Sequence, residues 1–166
     1  MHPLKGSDAT RKPDISCWFP GSEFDWRHIA TFAEVKNCTG MPNERSSYIE
    51  AAGKASCMLY AQDSHHAALC IHILGSQIYL TIFDHGGSLS TTSFDIHLCP
   101  HSFLCILIGV LCATLDTLRF NTLICWREDK CNGNVVQLKE LEFVKDNTTY
   151  TIKLTKVLFI SDNLHG

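Results

Sequence analysis

The residues of this chain that could do chemistry begin with a proline-aspartate pair, followed later by an acid, one apolar residue and a lysine. Nineteen residues separate Asp14 of Pro13-Asp14 from Glu34 of Glu34-Val35-Lys36. Because side chains alternate along a strand, Glu34 and Lys36 would share one face. Two carboxylates can hold Mg²⁺ (or Mn²⁺), and a lysine can orient the attacking water on a phosphodiester. We therefore predict Asp14 and Glu34 as metal ligands, and Asp14, Glu34 and Lys36 as catalytic residues.

The pattern is short, so its spacing alone leaves an alternative open. Glu34 and Lys36 could form an exposed ion pair on a half-buried strand, with Asp14 as a turn residue. The placement of the three side chains decides between these interpretations.

Two groups of histidines and cysteines are further candidates. His65-His66, at a predicted helix–strand junction, could face phosphate and bind substrate, and a solvated loop is the alternative. Two histidines and two cysteines within nine residues could bind zinc, but their spacing is irregular. Buried cysteines with surface histidines are the alternative for that second group, which comprises His97, Cys99, His101 and Cys105.

Kinase motifs are absent from these 166 residues. Gly86-Gly87 lacks the Lys-Ser/Thr that follows a phosphate loop, and neither a His-Arg-Asp nor an Asp-Phe-Gly set occurs. We therefore predict that the chain is not a kinase on its own.

Size and charge favour one domain that is not a dedicated nucleic-acid binder. The length predicts a polar tail over residues 1–12 and a single domain over residues 13–166. A formal net charge of −3 argues against tight nonspecific binding to DNA, although a local basic groove is compatible with it.

Cysteine usage and the N-terminus predict the compartment. The nine cysteines form no C-x-x-C pair, and Cys57, Cys70, Cys105 and Cys112 lie in apolar runs that predict buried thiols. With no signal peptide, we expect a reduced, intracellular protein of the cytoplasm or nucleus. The longest apolar stretch, residues 103–115, is too short to span a bilayer and predicts a buried helix and no membrane partner.

The order of predicted elements indicates an α+β (mixed α/β) class. Turn signals separate the apolar segments, and the clearest hairpin turns at Gly75-Ser76. The first helix would carry its apolar stripe on Ile49, Ala52, Ala55 and Leu59. The predicted elements are strands over 15–19 and 26–35, a helix over 46–62, hairpin strands over 67–74 and 77–83, a helix over 101–115, and a C-terminal β-hairpin over 135–144 and 150–160.

Two family resemblances follow from these residues. The Pro13-Asp14…Glu34-Val35-Lys36 pattern resembles the PD-(D/E)XK nuclease-like superfamily. The longer stretch resembles the region N-terminal to the kinase domain in the fungal-type protein kinase family, through residues 26–36, 75–84, 93–96 and 158–166. The first resemblance implies a restriction-endonuclease-like core, a mixed β-sheet flanked by helices, and Mg²⁺-dependent hydrolysis of DNA or RNA.

The same resemblances leave a second function open. The superfamily often places an acid upstream of its first strand, where this chain offers only Asp8. Where the family carries Arg-Arg, this chain has His65-His66, which lowers the fixed positive charge. The alternative is therefore a non-catalytic interaction or regulatory domain that binds a protein partner or a fused kinase domain.

Overall fold

The structure, a computed structural model, describes residues 12–19, 25–62, 64–131 and 134–154. The chain divides into two compact units, residues 1–120 and residues 121–166. Most of the predicted polar tail lies outside the described residues, and the predicted single domain over residues 13–166 stays a prediction.

The first unit is built on a six-stranded mixed sheet. Its strands are Ile15–Trp18 (β1), Ile29–Lys36 (β2), Ala67–Leu74 (β3), Gln77–Asp84 (β4), Gly87–Ser90 (β5) and Phe94–Asp95 (β6). The order is β1-β2-β3-β4-β5, and β6 also pairs with β4. Neighbours run antiparallel except β2 and β3, which are parallel. A parallel pair requires a crossover, which the helix Met41–Ala61 (α1) supplies.

Helix α1 covers one face of this sheet. Phe32 of β2 and Cys70 of β3 share a buried apolar cluster with Ala55 and Met58 of α1. Because side chains alternate on β2, Glu34 and Lys36 lie on the same face as Phe32. The packing therefore places the middle of α1, around Glu50 and Lys54, over the two charged residues of the motif.

The C-terminal end of α1 is joined to the start of β2 by hydrogen bonds. The Gln62 side-chain amide donates to the carbonyls of Trp26 and Ile29, at 2.6 and 2.8 Å. Trp26 and Ile29 are fully buried, so these bonds satisfy carbonyls that water cannot reach. The helix is thus held in register along the strand that carries the motif.

A second helix, Pro100–Leu111 (α2), covers the other face of the sheet. Its Phe103 and Val110 pack on a small buried cluster of Ala33, Ile71 and Ile78. Helices therefore lie on both faces, which confirms the predicted α+β class with a mixed sheet flanked by helices. Neither described helix combines the length and apolar character needed to cross a bilayer.

The prediction that residues 103–115 form a buried helix is wrong in two respects. The helix ends at Leu111, and none of its residues is buried. Leu104 and Ile108 point away from the sheet and are more than half exposed. A helix on one face of a sheet packs through a single stripe, here the partly buried Phe103 and Val110. Apolar content alone does not reveal which stripe that is.

The start of α1 is also corrected by the structure. The helix begins at Met41, five residues before the predicted Ser46, and Pro42 lies in its first turn. Proline is tolerated there because the first turn has no intrahelical partner for its missing N–H. The predicted strand over 26–35 begins as a 3-10 turn, Trp26–His28, because the Asp25 side chain accepts from Arg27 N at 2.9 Å.

The hairpin of β3 and β4 is confirmed. Leu74 pairs with Gln77 across a two-residue turn. Gly75 has φ +57°, a left-handed conformation that glycine adopts without steric cost. This turn also accounts for the Gly-Ser signal in the sequence.

The second unit contains a three-stranded antiparallel sheet. Its strands are Ile124–Cys131 (β7), Asn134–Lys145 (β8) and Thr148–Leu154 (β9), in that order. The predicted C-terminal hairpin corresponds to β8 and β9, joined through Asp146 and Asn147, both with positive φ. Strand β7 was not predicted, and the predicted extension of β9 to residue 160 lies outside the described residues.

Candidate functional site

The structure brings Asp14, Glu34 and Lys36 together at the junction of β1 and β2. Ile15 pairs with Ala33 in the antiparallel ladder, so Asp14 lies at the register position opposite Glu34. The Asp14 carboxylate accepts a hydrogen bond from Val35 N at 2.9 Å. The backbone of the motif therefore fixes the first acid beside the second.

Glu34 is enclosed between the sheet and α1. Its side chain has 0% exposure, and Lys54 of α1 has 8%. The Lys54 ammonium donates to both carboxylate oxygens of Glu34, at 2.5 and 2.6 Å. Such a contact satisfies a buried acid that water cannot reach, and it occupies both oxygens.

Lys36 makes a second ion pair, nearer to solvent. Its ammonium donates to Glu50 Oε1 at 2.7 Å, and the same oxygen accepts from Ser46 Oγ at 2.9 Å. The side chains of Lys36 and Glu50 are 24% and 43% exposed. The cluster therefore contains one closed pair and one pair that water reaches. We call these five charged residues the acid–lysine cluster: Asp14, Glu34, Lys36, Glu50 and Lys54.

Burial and neighbouring charge act in opposite directions on these groups. Burial raises the pKa of Glu34 against the lowering effect of Lys54, and the negative charges of Asp14 and Glu50 raise it further. The hydrogen bond between Lys36 and Glu50 raises the pKa of Lys36 and lowers that of Glu50. At neutral pH this second pair is charged on both sides.

The arrangement around Glu34 does not fit a divalent cation shared with Asp14. Mg²⁺ takes near-octahedral oxygen ligands, whereas both oxygens of Glu34 contact the Lys54 ammonium. A cation between the two acids would meet that positive charge at close range. Over the described ranges, no group of three or more His, Cys, Asp or Glu side chains is positioned to hold a metal ion.

His65 and His66 lie away from the acid–lysine cluster. They precede β3, whereas His72, near the other end of β3, is the residue that pairs with Glu34. Six or seven residues of strand separate the two places, roughly 20 Å. His65 is buried, its Nε2 donates a hydrogen bond to Leu118 O at 2.9 Å, and its ring stacks on Phe120 with ring centroids 3.8 Å apart.

The histidine–cysteine group at α2 is only partly assembled. Cys105 Sγ lies 3.7 Å from His101 Nδ1, one helical turn away, and both residues are exposed. The prediction that Cys105 and Cys112 are buried thiols is wrong, because Cys105 on α2 and Cys112 just after its last residue are both exposed. Cys57 and Cys70 are buried as predicted.

Sequence reasoning missed the two residues of α1 that complete the cluster. It had placed the apolar stripe of α1 on a face that includes Ile49, which is 58% exposed. The buried stripe instead carries Lys54 next to Ala55. Lys54 follows Glu50 by four positions and lies between two small residues, Gly53 and Ala55. This pattern could have identified Lys54 as the partner of an acid on the sheet.

These observations define the class: the first unit is an α+β domain whose mixed sheet holds an acid–lysine cluster beneath its crossover helix. The sequence model of the fungal protein kinase family matches residues 18–166. The chain therefore belongs to the fungal protein kinase family. No curated protein and no solved structure matches it. The resemblance to the PD-(D/E)XK superfamily stays a prediction.

Proposed function

We propose that this chain acts as a non-catalytic interaction or regulatory domain that works with a protein kinase of the fungal type. Family membership over residues 18–166 supports the association with that class of kinase. The partner in this proposal is a kinase domain, fused or separate.

The observation that carries the proposal is the closed contact between Glu34 and Lys54. A metal-binding acid must present an oxygen to the ion, but Glu34 is fully buried and both of its oxygens are paired. Removing a charged pair from water is costly, and the short contacts of Lys54 with both oxygens of Glu34 offset that cost. The pair therefore favours a structural role, in which it joins α1 to β2.

The experiment measures binding to a purified kinase domain from another member of the family, by interferometry at physiological salt. We expect a dissociation constant in the micromolar range, which is typical of interfaces between domains. The kinase activity of that domain should change when this chain is added. Absence of binding, with the chain folded by circular dichroism, would refute the proposal.

A second candidate is Mg²⁺- or Mn²⁺-dependent hydrolysis of DNA or RNA by Asp14, Glu34 and Lys36. The observation that favours it is the register of β1 on β2, which brings Asp14 opposite Glu34. The electrostatic influence of Asp14 on both Glu34 and Lys36 supports their proximity. This candidate requires Lys54 to leave Glu34 before an ion could bind.

A cleavage assay tests this second candidate on labelled DNA and RNA with Mg²⁺ or Mn²⁺. Lys36→Met is the informative variant because Lys36 is partly exposed and its loss should leave the fold intact. Lys153→Met in the second unit is the matched control at an exposed lysine. Metal-dependent cleavage that is lost in Lys36→Met and kept in Lys153→Met would support the hydrolase, whereas equal activity in both would reject it.

A further inference from the structure

An open pocket lies at the N-terminal end of α1, beside the start of β4 and the end of β5. Its volume is about 310 Å³, which is large enough for a small organic group. Its walls combine two aromatic rings, one carboxylate and several side-chain hydroxyls. The lining residues are Glu44, Tyr48, Leu74, Gln77, Tyr79, Ser90, Thr91 and Ser93.

One face of the Tyr79 ring is covered by a buried histidine. It stacks on the buried His72 imidazole with ring centroids 4.2 Å apart and planes 3° apart. His72 Nδ1 is in turn 2.7 Å from Ser47 Oγ, and Ser47 is also a hydrogen-bond partner of Tyr79. This wall of the pocket is therefore preorganised, which reduces the entropic cost of binding.

The Tyr48 side chain is also held by two contacts, one to its hydroxyl and one to its ring. Its hydroxyl is 2.7 Å from Ser88 Oγ, and its ring lies 5.6 Å from that of Phe83. Tyr48 projects from α1 and Tyr79 from β4, so two different elements supply the aromatic surfaces. Tyrosine faces carry negative electrostatic potential and attract cations.

The charge of the pocket comes from one residue. Of the described residues that line it, only Glu44 has a carboxyl group, and none is a lysine, arginine or histidine. Glu44 lies in the first turn of α1, and its charge acts on the Tyr79 phenol. A carboxylate beside two tyrosine faces selects for a cation and against an anion.

We propose that this pocket binds the guanidinium group of an arginine-like ligand. A planar guanidinium can stack on a tyrosine face and donate two parallel hydrogen bonds to Glu44, which a lysine ammonium cannot do. The hydroxyls of Ser90, Thr91 and Ser93 accept from its remaining N–H groups. The proposal goes beyond the proposed function, because it requires neither a kinase domain nor a metal.

The test is an NMR titration of the ¹⁵N-labelled chain with N-acetyl-arginine methylamide and with its citrulline counterpart. Citrulline keeps the shape of the side chain and removes its charge. We expect the arginine probe to bind with a dissociation constant in the millimolar range and to shift the amide signals of Tyr48 and Tyr79. The citrulline probe should bind at least about tenfold more weakly, because it lacks the positive charge that attracts the guanidinium to the Glu44 carboxylate and to the tyrosine faces.

Variants locate the binding to the pocket. Glu44→Gln and Tyr48→Leu should each weaken binding of the arginine probe about threefold to fivefold, and both sites are exposed enough to preserve the fold. Asp116→Asn is the control, since Asp116 is an exposed acid outside the pocket lining. Equal binding of arginine and citrulline, or unchanged binding in Glu44→Gln, would overturn the proposal.

The source of the guanidinium is distinguished by a longer probe. A blocked pentapeptide with one central arginine between glycines should bind more tightly than the single blocked residue if the natural ligand is a polypeptide. Equal affinities would assign the pocket to a small guanidine compound. Failure of both probes to shift the signals of Tyr48 and Tyr79 would refute either form of the proposal, whatever the outcome of the kinase-binding experiment.

Discussion

Replacing Lys54 by methionine should destabilise the first unit strongly. Methionine is close to lysine in volume, so the main change is the loss of the positive charge. Glu34 would remain at 0% exposure with no partner for either oxygen. Breaking a buried pair from one side costs about 3–5 kcal/mol. With a urea m-value of about 2 kcal/mol/M, the unfolding midpoint should fall by about 2 M.

The exposed pair in the same cluster supplies the matched control. Lys36→Met breaks a contact of similar length, 2.7 Å, but its two side chains are 24% and 43% exposed. Water can replace the lost partner there, so the expected cost is about 0.2–1 kcal/mol. Urea unfolding at pH 7, followed by tryptophan fluorescence and circular dichroism, measures both variants.

A double variant separates charge from packing. Glu34→Leu combined with Lys54→Met removes both charges and keeps apolar volume, so its stability should return to within about 1 kcal/mol of the parent or exceed it. A Lys54→Met variant that loses less than about 1 kcal/mol would refute the reasoning, because it would mean that Glu34 reaches water.

Three further predictions concern other parts of the first unit. Burial lowers the pKa of His65 and of His72 to about 4, so their contribution to stability is complete above the ordinary value of 6.5 and is lost as the pH falls towards 4. Lowering the pH from 7 to 5 should therefore cost about 3–4 kcal/mol in urea unfolding, and a flat profile would contradict the assignment. Gly75→Ala should destabilise by about 1 kcal/mol because of its φ of +57°, whereas Gly109→Ala, in open space on α2, should stabilise by about 0.5–1 kcal/mol; the same sign for both would be evidence against the turn geometry. Ile108→Glu should change thermal stability by less than about 0.5 kcal/mol, because Ile108 is 60% exposed, and a large loss would show that its side chain is covered.

Local signals predicted the positions of β1 to β4 well because strands and tight turns are short-range features. The β3–β4 hairpin needs only alternation and a glycine with positive φ, and both are visible in the sequence. The face of α1 was harder to predict. A helix with Ile49 on one side and Ala51, Ala55 and Met58 on another offers two apolar stripes, and only packing on the sheet selects between them.

The sequence predicted which face of the strand carries Glu34 and Lys36, but it did not predict what surrounds Glu34. Alternation places Glu34 and Lys36 on one face, as the structure has them. Whether an acid on that face meets water or a cation depends on a residue twenty positions later, Lys54. That contact exists only because the crossover from β2 to β3 carries α1 back over β2. Spacing within the motif contains no information about it.

The two ion pairs of the cluster therefore differ in what they allow. Lys36 and Glu50 can exchange partners with solvent or a ligand at little cost, because water competes for both charges. Glu34 cannot give up Lys54 without leaving a buried charge, and that cost exceeds what one surface contact returns. Any ligand that acts through Glu34 must bring its own positive charge into the buried position and displace an ammonium already held by two short hydrogen bonds. This energetic barrier opposes the binding of a metal ion at Glu34.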